Sequence, residues 1–123
     1  MELKEALGEI YKTAREQFDI QNTPKLNLKQ DEENAQGIFG KTAYYDPSDM
    51  SVVLYITNRH PKDICRSFAH ELIHHVQNER GDLKGHAEEG ADGSIIENEA
   101  NSKAGEIIRI FGKQNPEIYT NNK

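Results

Sequence analysis

Two histidines and one glutamate stand in the middle of the chain at a spacing that suits metal-assisted hydrolysis. The segment from His70 to His74 reads His-Glu-Leu-Ile-His. On an α-helix, residues four apart lie about 40° apart around the axis and one turn apart along it, so His70 and His74 can bind one metal ion. Glu71 is rotated by about 100° from His70, which leaves its carboxylate for a water molecule at the metal. The segment therefore predicts a catalytic metal site with Glu71 as general base.

Zinc is the metal that this pattern predicts, and it needs one more protein ligand. Catalytic zinc commonly has three protein ligands and an open position for water, whereas structural zinc usually has four. The downstream segment 94–103 offers Glu97 and Glu99. Ser94 and Glu97 match a capping box, in which both side chains bind backbone N–H groups at the start of a helix. Because this explains Glu97 structurally, Glu99 is the preferred third ligand and Glu97 is the alternative.

The helix that must position the two histidines has well-marked ends and one apolar face. Residues 62–80 contain neither proline nor glycine, Pro61 suits the first helical position, and Gly81 suits a left-handed cap. On a helical wheel, five apolar residues gather opposite the histidines. These are Ile64, Cys65, Phe68, Leu72 and Val76. The pattern predicts a buried back and a polar front, with Cys65 as a core residue rather than a ligand.

Two more helices and a small antiparallel sheet complete the predicted fold. Residues 1–18 and 94–111 have the apolar spacing of amphipathic helices. Residues 24–30, 40–45 and 51–56 are strand-like, and a turn containing Pro47 is expected to join the last two as a hairpin. No repeat or linker divides the 123 residues, so the sequence predicts one α+β domain, an antiparallel sheet packed with helices.

These motifs resemble those of the gluzincin metallopeptidases, the group that includes thermolysin. In that family the third zinc ligand is a glutamate on a helix that follows the His-Glu-x-x-His helix. Asn98-Glu99-Ala100 with Ser102 is similar to the run that carries this ligand in thermolysin, and residues 97–101 also resemble the ImmA/IrrE family. The short chain is similar to the single-domain minigluzincins.

The resemblance extends over about residues 41–111. It implies that residues 1–123 form a minimal zincin-like catalytic domain that hydrolyses peptide bonds, with zinc bound by His70, His74 and Glu99. Thermolysin-like enzymes also use a tyrosine between the two ligand helices and a histidine from a later subdomain. This chain has neither. His86 in the intervening loop could take the place of that histidine, although the expected state is a solvated loop histidine.

A strand before the predicted metal-binding helix is a candidate for substrate binding. Residues 42–45 followed by residues 51–56 resemble the edge strand and the next strand of thermolysin. A peptide can add to an exposed strand through main-chain hydrogen bonds, and Thr42, Ala43 and Tyr44 are the candidates for these contacts. The alternative is that these residues form a covered strand with no such role.

Composition limits the partners to be expected. The net charge is −6 and no run of lysine or arginine forms a basic stripe, so nucleic acid is not expected as a partner. No segment approaches the ~20 apolar residues of a membrane span, and no apolar core of a signal peptide is present. The sequence therefore predicts a cytoplasmic protein that acts on a peptide or protein substrate, and leaves the oligomeric state open.

Two other interpretations remain open. In one, the chain is a zinc-stabilised binding module whose metal only clamps two helices together, with every coordination position filled by protein. In the other, it is a latent protease homologue whose polar tail, residues 113–123, lies in the cleft. The composition of this tail is equally that of a frayed terminus.

Overall fold

The computed structural model describes residues 2–32, 42–83 and 90–116. Over these ranges the chain has an α+β fold of three helices and one three-stranded sheet, which confirms the predicted class. The helices are α1 (Leu3–Gln17), α2 (Pro61–Arg80) and α3 (Gly90–Gln114), and the strands are β1 (Lys25–Lys29), β2 (Ala43–Asp46) and β3 (Ser51–Tyr55). None of the helices in these ranges is long and apolar enough to cross a membrane.

The sheet is mixed, so the expectation of a purely antiparallel sheet was wrong. β3 is the central strand, with β2 antiparallel on one side and β1 parallel on the other. A turn at residues 47–50 joins β2 to β3 as the predicted hairpin, and such a short connection requires antiparallel neighbours. The connection between β1 and β2 is long enough to reach the opposite edge of the sheet. Alternating hydrophobicity identifies strands but not the direction of partners that are distant in sequence.

α2 begins and ends where its sequence predicts. Pro61 occupies the first turn, and His60 caps it because its Nδ1 accepts a hydrogen bond of 3.0 Å from the backbone N–H of Lys62. Gly81 ends the helix in the left-handed conformation with φ of 84°, which glycine adopts without the steric penalty of a side chain. These ends fix the length of the helix that carries both histidines.

α3 begins earlier than predicted, and this changes the interpretation of Glu97. The helix starts at Gly90, four residues before Ser94. Ser94 and Glu97 therefore lie within the helix, where they cannot form a capping box at its start. The structural explanation that set Glu97 aside as a ligand is removed.

The hydrophobic core lies between the three helices and one face of the sheet. The five apolar residues predicted for the back of α2 are all buried, which confirms that this face packs inward. α1, β3 and α3 supply the other large core side chains, among them Leu7, Ile10, Val52, Leu54, Ile107 and Phe111. Because α2 packs its back against this core, its opposite face is left to form a site together with α3 and β2.

Candidate metal centre

Two imidazoles from α2 and one carboxylate from α3 converge on a common point. Nε2 of His70 lies 3.1 Å from Nε2 of His74 and 3.1 Å from Oε1 of Glu97. Nε2 of His74 lies 3.3 Å from Oε2 of the same carboxylate. Among the residues that the structure describes, these three form the one group of His, Cys, Asp or Glu side chains with the spacing of metal ligands.

The separations between these atoms fit a tetrahedral zinc ion. Zinc bonds nitrogen and oxygen at about 2.0–2.1 Å, so two ligand atoms at tetrahedral corners are about 3.3 Å apart. The two histidine nitrogens are 3.1 Å apart, which is close to this value, and one carboxylate oxygen of Glu97 lies within 4.8 Å of both. Burial, together with the neighbouring His74, lowers the pKa of His70, which favours the neutral imidazole that a metal requires.

Glu71 lies in the wall of the same cleft and is separate from the three converging side chains. Its side chain is buried, and the cleft that it lines also includes His70, His74 and Glu97. Burial, with a smaller contribution from the negative charge of Glu97, raises the pKa of Glu71 to about 7. A carboxyl group with such a pKa is suited to exchanging protons with water near neutral pH.

The structure does not bring Glu99 to the two histidines, contrary to the sequence-based preference. The carboxylate of Glu99 accepts hydrogen bonds from Arg80 and Lys103, both at 2.7 Å, and from Gln77 at 2.8 Å. These donors, led by Arg80, lower the pKa of Glu99 to about 2. The side chain of Glu97, in contrast, is 57% exposed and faces the histidines. The geometry therefore favours Glu97 over Glu99 as the third ligand.

His70 and His74 each have a further partner outside the group of three converging side chains. Nδ1 of His74 lies 2.7 Å from Oε1 of Gln77, three residues further along α2. The side chain of Asn101 on α3 hydrogen-bonds His70. Partners of this kind orient metal-binding imidazoles in proteins. Gln77 was not identified from the sequence, although its offset from His74 places both side chains on neighbouring positions of the helix surface.

β2 forms one wall of the cleft and is an edge strand of the described sheet. Ala43 and Tyr44 line the cleft, which has a volume of about 420 Å³, together with Tyr45. The structure thus brings two of the three predicted substrate-binding residues next to His70 and His74. Thr42 is not among the cleft-lining residues.

The pairing of β2 with β3 determines which backbone groups face the open edge. The carbonyl of Thr42 accepts a hydrogen bond from the N–H of Tyr55, so Thr42 pairs with β3. In an antiparallel pair this role alternates along the strand, so the backbone groups of Tyr44 also face β3. Those of Ala43 and Tyr45 face away from β3, towards the edge at which a peptide could add.

A third histidine, His75, was not identified from the sequence. It lies on the buried face of α2 and forms a hydrogen bond with Tyr45 in the cleft wall. His75 is fully buried; its Nε2 donates to the carbonyl of Asn22 at 2.6 Å, because a carbonyl only accepts. Nδ1 and the hydroxyl of Tyr45 form a second hydrogen bond, also at 2.6 Å. Asn78 donates to the same hydroxyl. The spacing of His75 from Phe68 and Leu72, seven and three residues, is the signal that could have placed it on the buried face.

Several expectations fall on parts of the chain outside the described residues. His86 and residues 117–123, most of the tail considered as an inhibitory segment, belong there. Residues 113–114 of that tail form the last turn of α3.

No family model, no curated protein and no solved structure matches the chain. The resemblance to gluzincins therefore depends on the motifs in the sequence.

Proposed function

We propose that this protein is a zinc-dependent metallopeptidase of the gluzincin type, with Glu71 as general base. The observation that carries the proposal is the convergence of His70, His74 and Glu97 in a cleft whose wall also contains Glu71. The residues that the structure describes supply three such ligands rather than four, and catalytic zinc sites likewise have three protein ligands and a coordination position for water. The same donors also accept cobalt, nickel or manganese, so zinc is proposed on the motif and on the fit of the distances.

His70, His74 and Glu97 would hold the zinc, which would supply Lewis-acid chemistry to the cleft by lowering the pKa of water towards ~7 and polarising a substrate carbonyl. Glu71 accepts the proton of the water and delivers it to the departing amine of the cleaved peptide bond. Its buried position keeps the carboxylate inside the cleft, and its elevated pKa makes both the uptake and the release of a proton accessible near neutral pH. His70, His74 and Glu97 hold the metal beside it.

The proposed substrate is an extended segment of a peptide or unfolded protein. Ala43 and Tyr45 turn their backbone groups towards the edge of β2 that no other described strand pairs with, next to the cleft. A substrate that adds there as a further strand would be bound through its main chain, which reads an extended conformation rather than a particular sequence. This supports a peptide substrate over a small molecule.

A zinc-stabilised binding module is the second candidate. It is supported by one feature: the three converging side chains come from two different helices, so a metal ion would fasten α3 to α2. The buried Glu71 in the same cleft has no role in such a module, and this favours the peptidase.

The decisive experiment incubates the zinc-loaded protein with an unfolded protein and identifies new fragments by intact mass. Glu71→Gln is assayed alongside, and Glu106→Gln, an exposed glutamate on α3, serves as the matched control. We expect cleavage by the native and Glu106→Gln proteins. The cleavage rate of Glu71→Gln should be about 10²–10⁴-fold lower, because general acid–base groups contribute factors of this size. No cleavage by any of the three, with zinc confirmed as bound, would favour the binding module.

A further inference from the structure

The side-chain amide of Gln77 bridges the two helices of the metal centre. Gln77 is completely buried on α2. Its Oε1 lies 2.7 Å from Nδ1 of His74, and its Nε2 lies 3.0 Å from the carbonyl oxygen of Ile96 and 2.8 Å from Oε1 of Glu99. All of its hydrogen-bonding atoms are therefore engaged between His74 and α3.

The partners of this amide allow only one of its two orientations. The carbonyl of Ile96 and the carboxylate of Glu99 both accept hydrogen bonds, and Glu99 is held as a carboxylate by Arg80 and Lys103. If the amide were rotated by half a turn, its oxygen would face two other oxygens at about hydrogen-bonding distance with no proton between them. Burying an acceptor in this way costs about 1–3 kcal/mol. The NH₂ group of Gln77 must therefore face α3, and its oxygen must face His74.

The orientation of Gln77 determines which nitrogen of His74 carries the proton. Because Oε1 of Gln77 only accepts, Nδ1 of His74 must donate. A neutral imidazole has a single N–H, so the lone pair is on Nε2. This is the atom that lies 3.1 Å from Nε2 of His70 and 3.3 Å from the Glu97 carboxylate.

We propose that Gln77 is a positioning residue of the metal centre, which keeps His74 in the Nδ1–H tautomer and so presents the Nε2 lone pair to the metal. Glu99 and the carbonyl of Ile96 act through Gln77 by fixing its amide. The metal part of this inference rests on the proposed function, whereas the tautomer is a property of the protein without metal. Under this assignment the two glutamates of α3 divide the work: Glu97 binds, and Glu99 orients.

The tautomer of His74 can be measured directly. In protein labelled with ¹⁵N-histidine and kept metal-free at pH 8, above the ordinary imidazole pKa of about 6.5, long-range ¹H–¹⁵N NMR couplings identify the protonated nitrogen of each ring. We expect Nδ1–H for His74 in the native protein and a mixture of tautomers in Gln77→Leu. The matched control is Asn78→Leu, whose amide contacts Tyr45 and Pro47 instead.

Zinc affinity supplies the second readout, measured by competition with a chromophoric chelator. Loss of an outer partner of a ligand typically weakens metal binding 10–100-fold, and we expect this loss for Gln77→Leu. Asn78→Leu should match the native affinity. A circular dichroism spectrum of each variant verifies that the helices are retained.

The outcomes separate this inference from the proposed function. An Nε2–H tautomer in the native protein, or a Gln77→Leu variant with native tautomer and native zinc affinity, would overturn the positioning role even if the protein cleaves peptides. If the native protein binds no zinc at all, the proposed function fails, and the role of Gln77 towards the metal fails with it.

Discussion

Glu97 and Glu99 lie two residues apart on α3, yet their carboxylates meet different partners. Glu97 reaches the Nε2 atoms of His70 and His74 at 3.1 and 3.3 Å, whereas Glu99 is held by three donors at 2.7–2.8 Å. On a helix, two residues are separated by about 200° of rotation, so side chains at this spacing face different surroundings. One carboxylate is available for a metal, and the other is occupied by the protein.

This difference predicts that the same substitution, glutamate to glutamine, weakens zinc binding strongly at residue 97 and little at residue 99. Under the proposed function, Glu97→Gln replaces a negatively charged ligand and should weaken zinc binding by at least about 100-fold, more than outer-partner substitutions usually do. Glu99→Gln keeps an oxygen that can accept from Gln77, so its zinc affinity should stay within about 10-fold of the native value. Competition with a chromophoric chelator measures both. Equal losses in the two variants would contradict the choice of Glu97 as the ligand.

The position of β2 at the edge of the described sheet predicts the effect of a proline at residue 43. Ala43→Pro removes an N–H that faces away from β3, and proline is tolerated in strands at such edge positions. We expect a higher KM for an extended peptide, with zinc affinity unchanged. Tyr44→Pro removes an N–H that faces β3 and should instead lower the melting temperature. An unchanged KM in a folded Ala43→Pro protein would show that substrate does not add at this edge.

The buried His75 predicts a large loss of stability without a loss of metal. His75→Ala opens a cavity, removes the partner of the Asn22 carbonyl and leaves the Tyr45 hydroxyl with Asn78 alone, so the free energy of unfolding should fall by about 3 kcal/mol. Tyr45→Phe removes only the hydroxyl and should cost about 1–2 kcal/mol. Urea unfolding measures both values. Zinc affinity should be unaffected, since His75 does not face the Glu97 carboxylate. A fall in the free energy of unfolding of less than about 0.5 kcal/mol in His75→Ala, the size of an ordinary surface substitution, would contradict the hydrogen bonds described for His75.

Cys65 predicts a decline of stability at alkaline pH. Burial raises the pKa of its thiol from 9.0 to about 11, so between these values the unfolded chain loses the proton while the folded chain keeps it. Stability from this residue is therefore complete below pH 9 and is lost as the pH rises towards 11. The free energy of unfolding of the native protein should fall by about 1–2 kcal/mol more between pH 8 and 10.5 than that of Cys65→Ala, which has no thiol. Urea unfolding at several pH values tests this, and parallel curves for the two proteins would refute it.

Two glycines predict effects of opposite sign for the same substitution. Gly81 has φ of 84° at the end of α2, and an added Cβ would meet nothing within 4 Å, so only backbone strain opposes alanine there. Gly81→Ala should cost about 1 kcal/mol. Gly8 lies within α1 with equally open space, and Gly8→Ala should raise stability by about 0.5–1 kcal/mol. Thermal melts measure both, and destabilisation by Gly8→Ala would contradict the stated geometry.

The features predicted best from the sequence are those that depend on local spacing. Four-residue spacing brought His70 and His74 together, and Pro61 and Gly81 marked the ends of α2, because both signals act within one helix. The class of the fold followed from the same periodicities. The functional predictions, including peptidase activity, zinc and a cytoplasmic location, stay predictions.

The features that were missed depend on contacts between elements. The choice between Glu97 and Glu99 relied on a helix start at Ser94, whereas α3 begins at Gly90 and aims Glu97 at α2. The parallel pairing of β1 with β3 joins segments that no short turn connects, so local patterns contain no information on its direction. The hydrogen bonds of Gln77 and His75 were missed because their partners lie on α3 and β2, which the spacing along α2 does not reveal.

Two of the three converging side chains lie on α2 and one lies on α3, so a metal ion bound there would stabilise the folded chain. The supply of metal would then affect how long the folded chain persists. A ligand that binds only the native state adds RT ln(1 + [L]/Kd) to its stability, about 2.7 kcal/mol at a free concentration of 100 Kd. Under the proposed function, a zinc-poor environment would therefore lower the stability of the folded chain as well as abolish catalysis, and would increase its exposure to degradation. The amount of this protein, and not only its turnover rate, would then follow the availability of the metal.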